Sequence, residues 1–138
     1  LSLPLQKDLA LGVPGAQEWV NDLPNDANKK FVADYMKKYP GHRPSFYGAQ
    51  SYDAANLIAS AVNALKGNLS DKKAVEAALK KADFKSVRGN FRYGNNHFPI
   101  ENFYLLRAEK GPHGMVMKVE RTIFKDHKDA YYNECKMK

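Results

Sequence analysis

The segment Tyr52 to Leu65 constrains this chain more than any other. Ala54, Ala55, Leu57, Ile58, Ala59, Ala61, Val62, Ala64 and Leu65 cover most of a helix circumference. A helix apolar almost all round has to be buried on more than one side. Helices of that kind commonly pack on the faces of parallel sheets. Only one strand-like segment, Leu9 to Val13, precedes this one. The sheet that buries the helix is therefore expected from outside these 138 residues, and the chain reads as an α/β fold lacking its earlier βα units.

The flanking pattern supports that class. Pro14-Gly15 marks a turn, and Gln17 to Pro24 is too polar and punctuated for regular structure. A helix follows, capped by Asn25 or Asp26, with Ala27, Phe31, Tyr35 and Tyr39 four apart on one stripe and Pro40-Gly41 as its stop. His42 to Ser45 leads into the apolar helix, which Gly67 ends. Ser70 is the predicted cap of a further helix carrying Ala74, Val75, Ala78, Leu79 and Ala82. The period then becomes two: Val87, Gly89, Phe91 and Tyr93 alternate with Arg88, Asn90 and Arg92, as in a half-exposed strand that stops at Gly94-Asn95-Asn96. Phe103 to Ala108 and Met115 to Phe124 are predicted strands, joined as a hairpin through Lys110-Gly111-Pro112-His113-Gly114, and a polar tail follows.

Composition bears on partners. A net charge of +7 raises the possibility of nucleic-acid binding, since clustered Lys and Arg neutralise phosphates. The basic residues instead fall as scattered pairs, Lys29-Lys30, Lys37-Lys38, Lys72-Lys73 and Lys80-Lys81, on the polar sides of predicted helices. A solvated helix face accounts for them, and no nucleic-acid partner is expected. No apolar run reaches the roughly 20 residues of a membrane span. The start, Leu1-Ser2-Leu3-Pro4-Leu5-Gln6-Lys7, lacks the build of a signal peptide and points to a chain that begins mid-protein. Cys135 has no partner within the chain, so it is expected as a free thiol or paired with a cysteine elsewhere in a longer protein.

Enzyme chemistry finds no foothold. His42, His97, His113 and His127 are scattered, without the spacing of metal ligands. Ser45 and Ser51 lack a nucleophile elbow. Asp53 is read as supporting a helix N-terminus rather than acting as a base. Gly12-Val13-Pro14-Gly15 lacks the spacing of a phosphate cradle. No catalytic residue, metal or cofactor is expected.

Three runs carry a resemblance: Asn28-Lys29-Lys30-Phe31-Val32-Ala33-Asp34-Tyr35, Pro44-Ser45-Phe46-Tyr47-Gly48-Ala49-Gln50-Ser51-Tyr52-Asp53-Ala54-Ala55, and Phe84-Lys85-Ser86-Val87-Arg88-Gly89-Asn90-Phe91. In that order and spacing they resemble the C-terminal part of the periplasmic solute-binding proteins of branched-chain amino acid type ABC transporters. The likeness runs from about Leu9 to the end. It implies part of a two-lobed type I periplasmic-binding-protein fold, with three-layer α/β/α lobes that close on a ligand about a hinge. It also implies residues 1–43 in the second lobe, 44–98 in the first and 99–138 back in the second. The expected function is capture of a small organic solute, an amino acid or an aromatic acid, and delivery to a membrane permease from the periplasm. The run Phe91 to Ile100 looks closer to relatives that take up aromatic acids such as benzoate or hydroxycinnamate derivatives.

On that mapping the expected ligand-binding residues are Trp19, Tyr47 and Gln50. Tyr47 and Gln50 are placed just before the apolar helix, and Trp19 in the loop at the carboxyl end of the first strand, where ligands bind in open α/β sheets. For Tyr47 and Trp19 the alternative is a core or lobe-surface aromatic. A second class of function, a small basic module that binds nucleic acid or a protein partner, stands beside the receptor. The chain alone is expected to dimerise or exchange segments through the uncovered face of Tyr52 to Leu65.

Overall fold

The computed structural model describes residues 3–112 and 114–137. A short helix α1 (Leu3–Gln6) and a 3-10 turn (Lys7–Ala10) precede β1 (Pro14–Gln17). Helices α2 (Asp26–Lys38), α3 (Phe46–Ala64) and α4 (Lys72–Lys81) follow, then the short β2 (Arg92–Tyr93) and the long hairpin β3 (Pro99–Gly111) and β4 (Gly114–His127).

All strand pairings are antiparallel and centre on β3. It pairs with β1 (Pro14 opposite Arg107 through Gln17 opposite Tyr104), with β2 near its start, and with β4 along its length. The hairpin closes with Gly111 opposite Gly114, as the predicted turn requires, and His113 of that turn lies outside the described residues, as do Leu1, Ser2 and Lys138. Both predicted hairpin strands are longer than their apolar alternation suggests, because ladder bonds continue through Lys110 and Lys125, where side chains face water.

Two strand predictions are corrected. Leu9 to Val13 forms no strand: Leu9 is 91% exposed, the Leu11 and Val13 amides donate back to Asp8 and Ala10, and Gly12 sits at φ +80. The apolar run is spent on a turn that a residue without Cβ makes possible; only its end touches β3, where the Gly12 amide donates to the Ala108 carbonyl and the Val13 carbonyl accepts from the Ala108 amide, and β1 itself runs from Pro14. Val87 to Tyr93 is a strand only at Arg92 and Tyr93. Ser86, Val87 and Arg88 are buried consecutively, which no half-exposed strand allows, and the Gly89 amide closes a turn onto the Ser86 carbonyl at 3.1 Å.

The helices follow their capping chemistry. Asn25 caps α2, its side chain accepting from the Asn28 amide at 2.9 Å. The α4 cap is Asp71 rather than Ser70; its carboxylate accepts from the Lys73 and Ala74 amides, which a serine one residue earlier does not reach. Helix α3 begins at Phe46, six positions before the predicted start, because Ser45 accepts from the Gly48 amide and opens the helix ahead of the apolar run. Its fully buried members are Ala49, Asp53 and Ala61, while Ile58 is 58% exposed. Its apolar surface is thus half uncovered within this chain.

One core joins these parts. Trp19, Val20, Leu23, Phe31, Ala49, Val87 and Leu106 are buried together, with Tyr35, Phe46, Tyr104 and Met117 packed against them. It takes residues from the loop after β1, from α2, from α3, from the 86–88 turn and from the hairpin. Aromatic rings supply much of its contact: Phe31 meets Trp19 edge-on at 6.1 Å and Tyr52 at 4.7 Å. No helix among the described residues is long and apolar enough to cross a membrane.

Candidate ligand-binding edge

The first two turns of α3 and the loop after β1 meet at one edge of the core. Tyr47, Gln50 and Asp53 are spaced i, i+3 and i+6 on α3, so they form one stripe along the helix. Tyr47 is 57% exposed and lies against Phe46, ring centres 4.0 Å apart. Gln50 is exposed, and its side-chain amide donates to the Glu18 carboxylate at 2.9 Å. The structure therefore places Tyr47 and Gln50 inside α3 rather than before it, and joins Gln50 to a residue that sequence reasoning passed over. Tyr47 offers an open aromatic face.

Trp19 is placed differently. It is 2% exposed, and its indole N–H donates to the Asn28 side chain at 2.7 Å. Asn28 in turn donates from its amide nitrogen to the carbonyls of Val20, Asn21 and Leu23 at 3.3, 3.1 and 3.1 Å. One buried asparagine thus shapes the whole loop between β1 and α2. Asn25 extends the arrangement, donating to the Val87 carbonyl at 3.0 Å. The Trp19 ring is a wall of the core behind the edge, not a face presented at it.

Asp53 anchors the stripe. It lies eight residues into α3, so it does not support a helix N-terminus; the earlier start at Ser45 turns it inward instead. Its carboxylate accepts from the Ser86 hydroxyl at 2.5 Å, the Val87 amide at 3.0 Å and the Arg88 Nε at 3.1 Å. Arg88 also donates from Nη1 to Glu101 on β3 at 3.0 Å and lies over the Phe91 ring at 4.3 Å. The Asp53 side chain is 1% exposed, and those of Arg88 and Glu101 are nearly as buried. Nothing in the sequence pattern marks this triad, because Arg88 falls on what alternation reads as the solvent side.

Burial pushes the Glu101 carboxyl above the ordinary carboxylate range; Arg88 pulls the other way, while Glu18 and Asp53 add to the rise. Burial likewise raises the Tyr93 phenol. A carboxyl raised on folding holds its proton more tightly folded than unfolded. Its stabilising contribution is full below the unfolded value and is lost as pH rises through the folded one. Glu101→Gln is therefore expected to gain on the wild type in urea midpoint as pH rises out of the ordinary carboxylate range. A constant difference over that rise would refute the assignment.

Among the described residues no group of three or more His, Cys, Asp or Glu is arranged to hold a metal. The open groove of about 650 Å³ between α2, α3 and residues 83–85, lined by Lys30, Tyr52, Asn56, Ser60, Phe84 and Lys85 among others, lies away from Tyr47 and Gln50. It exists because that side of α3 is uncovered.

The family model described as periplasmic binding protein matches residues 2–112. The chain belongs to the periplasmic binding protein family. Solved structures share this fold. A solute-binding protein of an ABC transporter from R. palustris in complex with benzoate is 27% identical, with a TM-score of 0.87 over 98% of this chain. One from Rhodopseudomonas palustris BisB5 in complex with 3,4-dihydroxy benzoic acid is 29% identical, with a TM-score of 0.82 over 94%. An ABC transporter substrate-binding protein from Sphaerobacter thermophilus is 26% identical, with a TM-score of 0.82 over 91%. The chain spans 36%, 35% and 34% of those proteins' lengths. None of the curated proteins matches it. The fold class expected from the sequence stands: this is part of a type I periplasmic-binding-protein fold, and the portion seen here carries an antiparallel sheet.

Proposed function

We propose that this binding-protein chain is part of the solute receptor of an ABC importer, working in the periplasm and passing an aromatic acid to a membrane permease. The observation that carries this reading is the likeness over 98% and 94% of the chain to receptors whose structures hold benzoate and 3,4-dihydroxy benzoic acid. An exposed tyrosine face beside an amide suits a flat ring with a polar end. Within the same proposal, residues 1–43 and 99–138 belong to the second lobe and 44–98 to the first, with crossovers at Arg43-Pro44 and Phe98-Pro99. Tyr47 and Gln50 touch the solute, and Trp19 acts from behind by holding the loop that carries Glu18. The uncovered face around Ile58 is where the rest of the first lobe packs, and where an isolated chain self-associates.

Binding of a solute to the folded state alone raises apparent stability with concentration. In the full-length protein, benzoate and 4-hydroxybenzoate are expected to raise the melting temperature, and leucine to raise it less. Tyr47→Ala and Gln50→Ala should each weaken the best solute roughly tenfold, in line with loss of one ring contact or one hydrogen bond to a buried ligand. A melting temperature indifferent to all three solutes, together with DNA binding that fades steeply with salt, would favour the basic-module reading instead.

A further inference from the structure

We infer that Arg88 is a positioning residue: by bridging Asp53 on α3 to Glu101 on β3, it fixes the stripe Tyr47, Gln50, Asp53 relative to the loop after β1 that carries Glu18. The consequence for solute binding rests on the reading of Tyr47 and Gln50 given above; the effect on the helix does not.

Three observations carry it. The apolar side chains that α3 buries fully are alanines, Ala49 and Ala61. A methyl group makes few contacts, and the larger side chains of α3 that meet the core, Phe46 and Tyr52, are only partly covered, so apolar packing sets the helix's rotation loosely. The remaining buried member is Asp53, which has three donors fixed on its two oxygens. Two of those donors are backbone-tethered within the 86–88 turn, and the third belongs to a guanidinium whose other arm is held by Glu101 at 3.0 Å.

The chemistry of arginine matters here. Its donors lie in one rigid plane, so Nε and Nη1 can serve two carboxylates only at one orientation. Phe91, stacked at 4.3 Å, closes the remaining side of that plane. Asp53 thus becomes a fixed point on α3. Gln50 lies one turn from it and Tyr47 two turns, about 9 Å along the axis at 1.5 Å per residue. The hydrogen bond from Gln50 to Glu18 then reports a helix already set in rotation from below.

A merely structural triad is distinguished from a positioning one by neutralising all three charges together. Buried ionic triads replaced by well-packed apolar groups of similar volume often cost no stability, whereas removing one partner alone is strongly destabilising. In the full-length protein, the combined Asp53→Asn, Arg88→Met and Glu101→Gln variant, which keeps polar amides at two positions but leaves no unpaired charge, is expected to melt above Arg88→Met alone. Its amides over residues 46–53 should nevertheless exchange with solvent about tenfold faster while α4 keeps its protection, and its affinity for benzoate or 4-hydroxybenzoate should fall about tenfold. Arg88→Lys, which keeps the charge but not the planar fork, should show the same exchange pattern at smaller size, and it serves alone should the triple variant fail to fold. Unchanged exchange over 46–53, or a rise shared equally with α4, would overturn the inference. Absence of solute binding in the wild type would instead count against the proposed function and leave the exchange result standing.

Discussion

Arg88→Met alone is expected to lower unfolding free energy by about 3 to 5 kcal/mol, the usual cost of removing one partner from a buried charge pair. Two carboxylates lose their counter-charge at once. Asp53 keeps the Ser86 hydroxyl and the Val87 amide, whereas Glu101 loses the one side chain among the described residues that donates to it. Glu101 can respond by holding its proton further up the pH scale, so the loss should shrink towards acid. Urea unfolding at two pH values measures both effects. A loss under about 1 kcal/mol at neutral pH would place the triad with solvent-screened surface pairs, contrary to the burial described.

Asn28→Ala is the second large effect, at about 3 kcal/mol. Truncation removes the acceptor of the Trp19 indole and the donor shared by the Val20, Asn21 and Leu23 carbonyls. A buried polar group left without a partner costs about 1 to 3 kcal/mol; water admitted to the space vacated limits the sum. The loop between β1 and α2 should loosen first, so Trp19 emission should move to longer wavelength before global unfolding. An emission maximum that stays in place until the main transition would mean that the loop is held by packing alone.

What the sequence reveals and conceals follows from the kind of interaction. Helix α2 is legible to its end residues because Asn25, the four-residue aromatic spacing and Pro40-Gly41 are local signals, each read by its own few neighbours. Helix α3 is legible as apolar and needing cover, yet its start is not, because Ser45 and Gly48 look like connector residues until the cap bond between them is seen. The 86–88 turn is hidden altogether: it is ordered by a carboxylate more than thirty positions earlier, and alternation cannot report a contact of that range. The candidate site divides in the same way. Tyr47 and Gln50 are named from their run alone, Glu18 and Arg88 come into view only through folding, and Trp19 is buried with its one donor held by Asn28. Asn28 is a polar residue in the first turn of an amphipathic helix on the side of Phe31, and that is the signal that could have marked it.

The pairing of β1 with β3 has a consequence for when this chain can fold. Arg107 reaches the Gly12 carbonyl across a separation of 95 residues, and every partner of β1 is drawn from the last third of the chain. A ribosome releases β1 long before the strand that completes it exists. Closing so long a loop carries an entropic cost that no early contact repays, and topologies of this kind fold slowly. The early segments must therefore wait in an open state until the hairpin emerges.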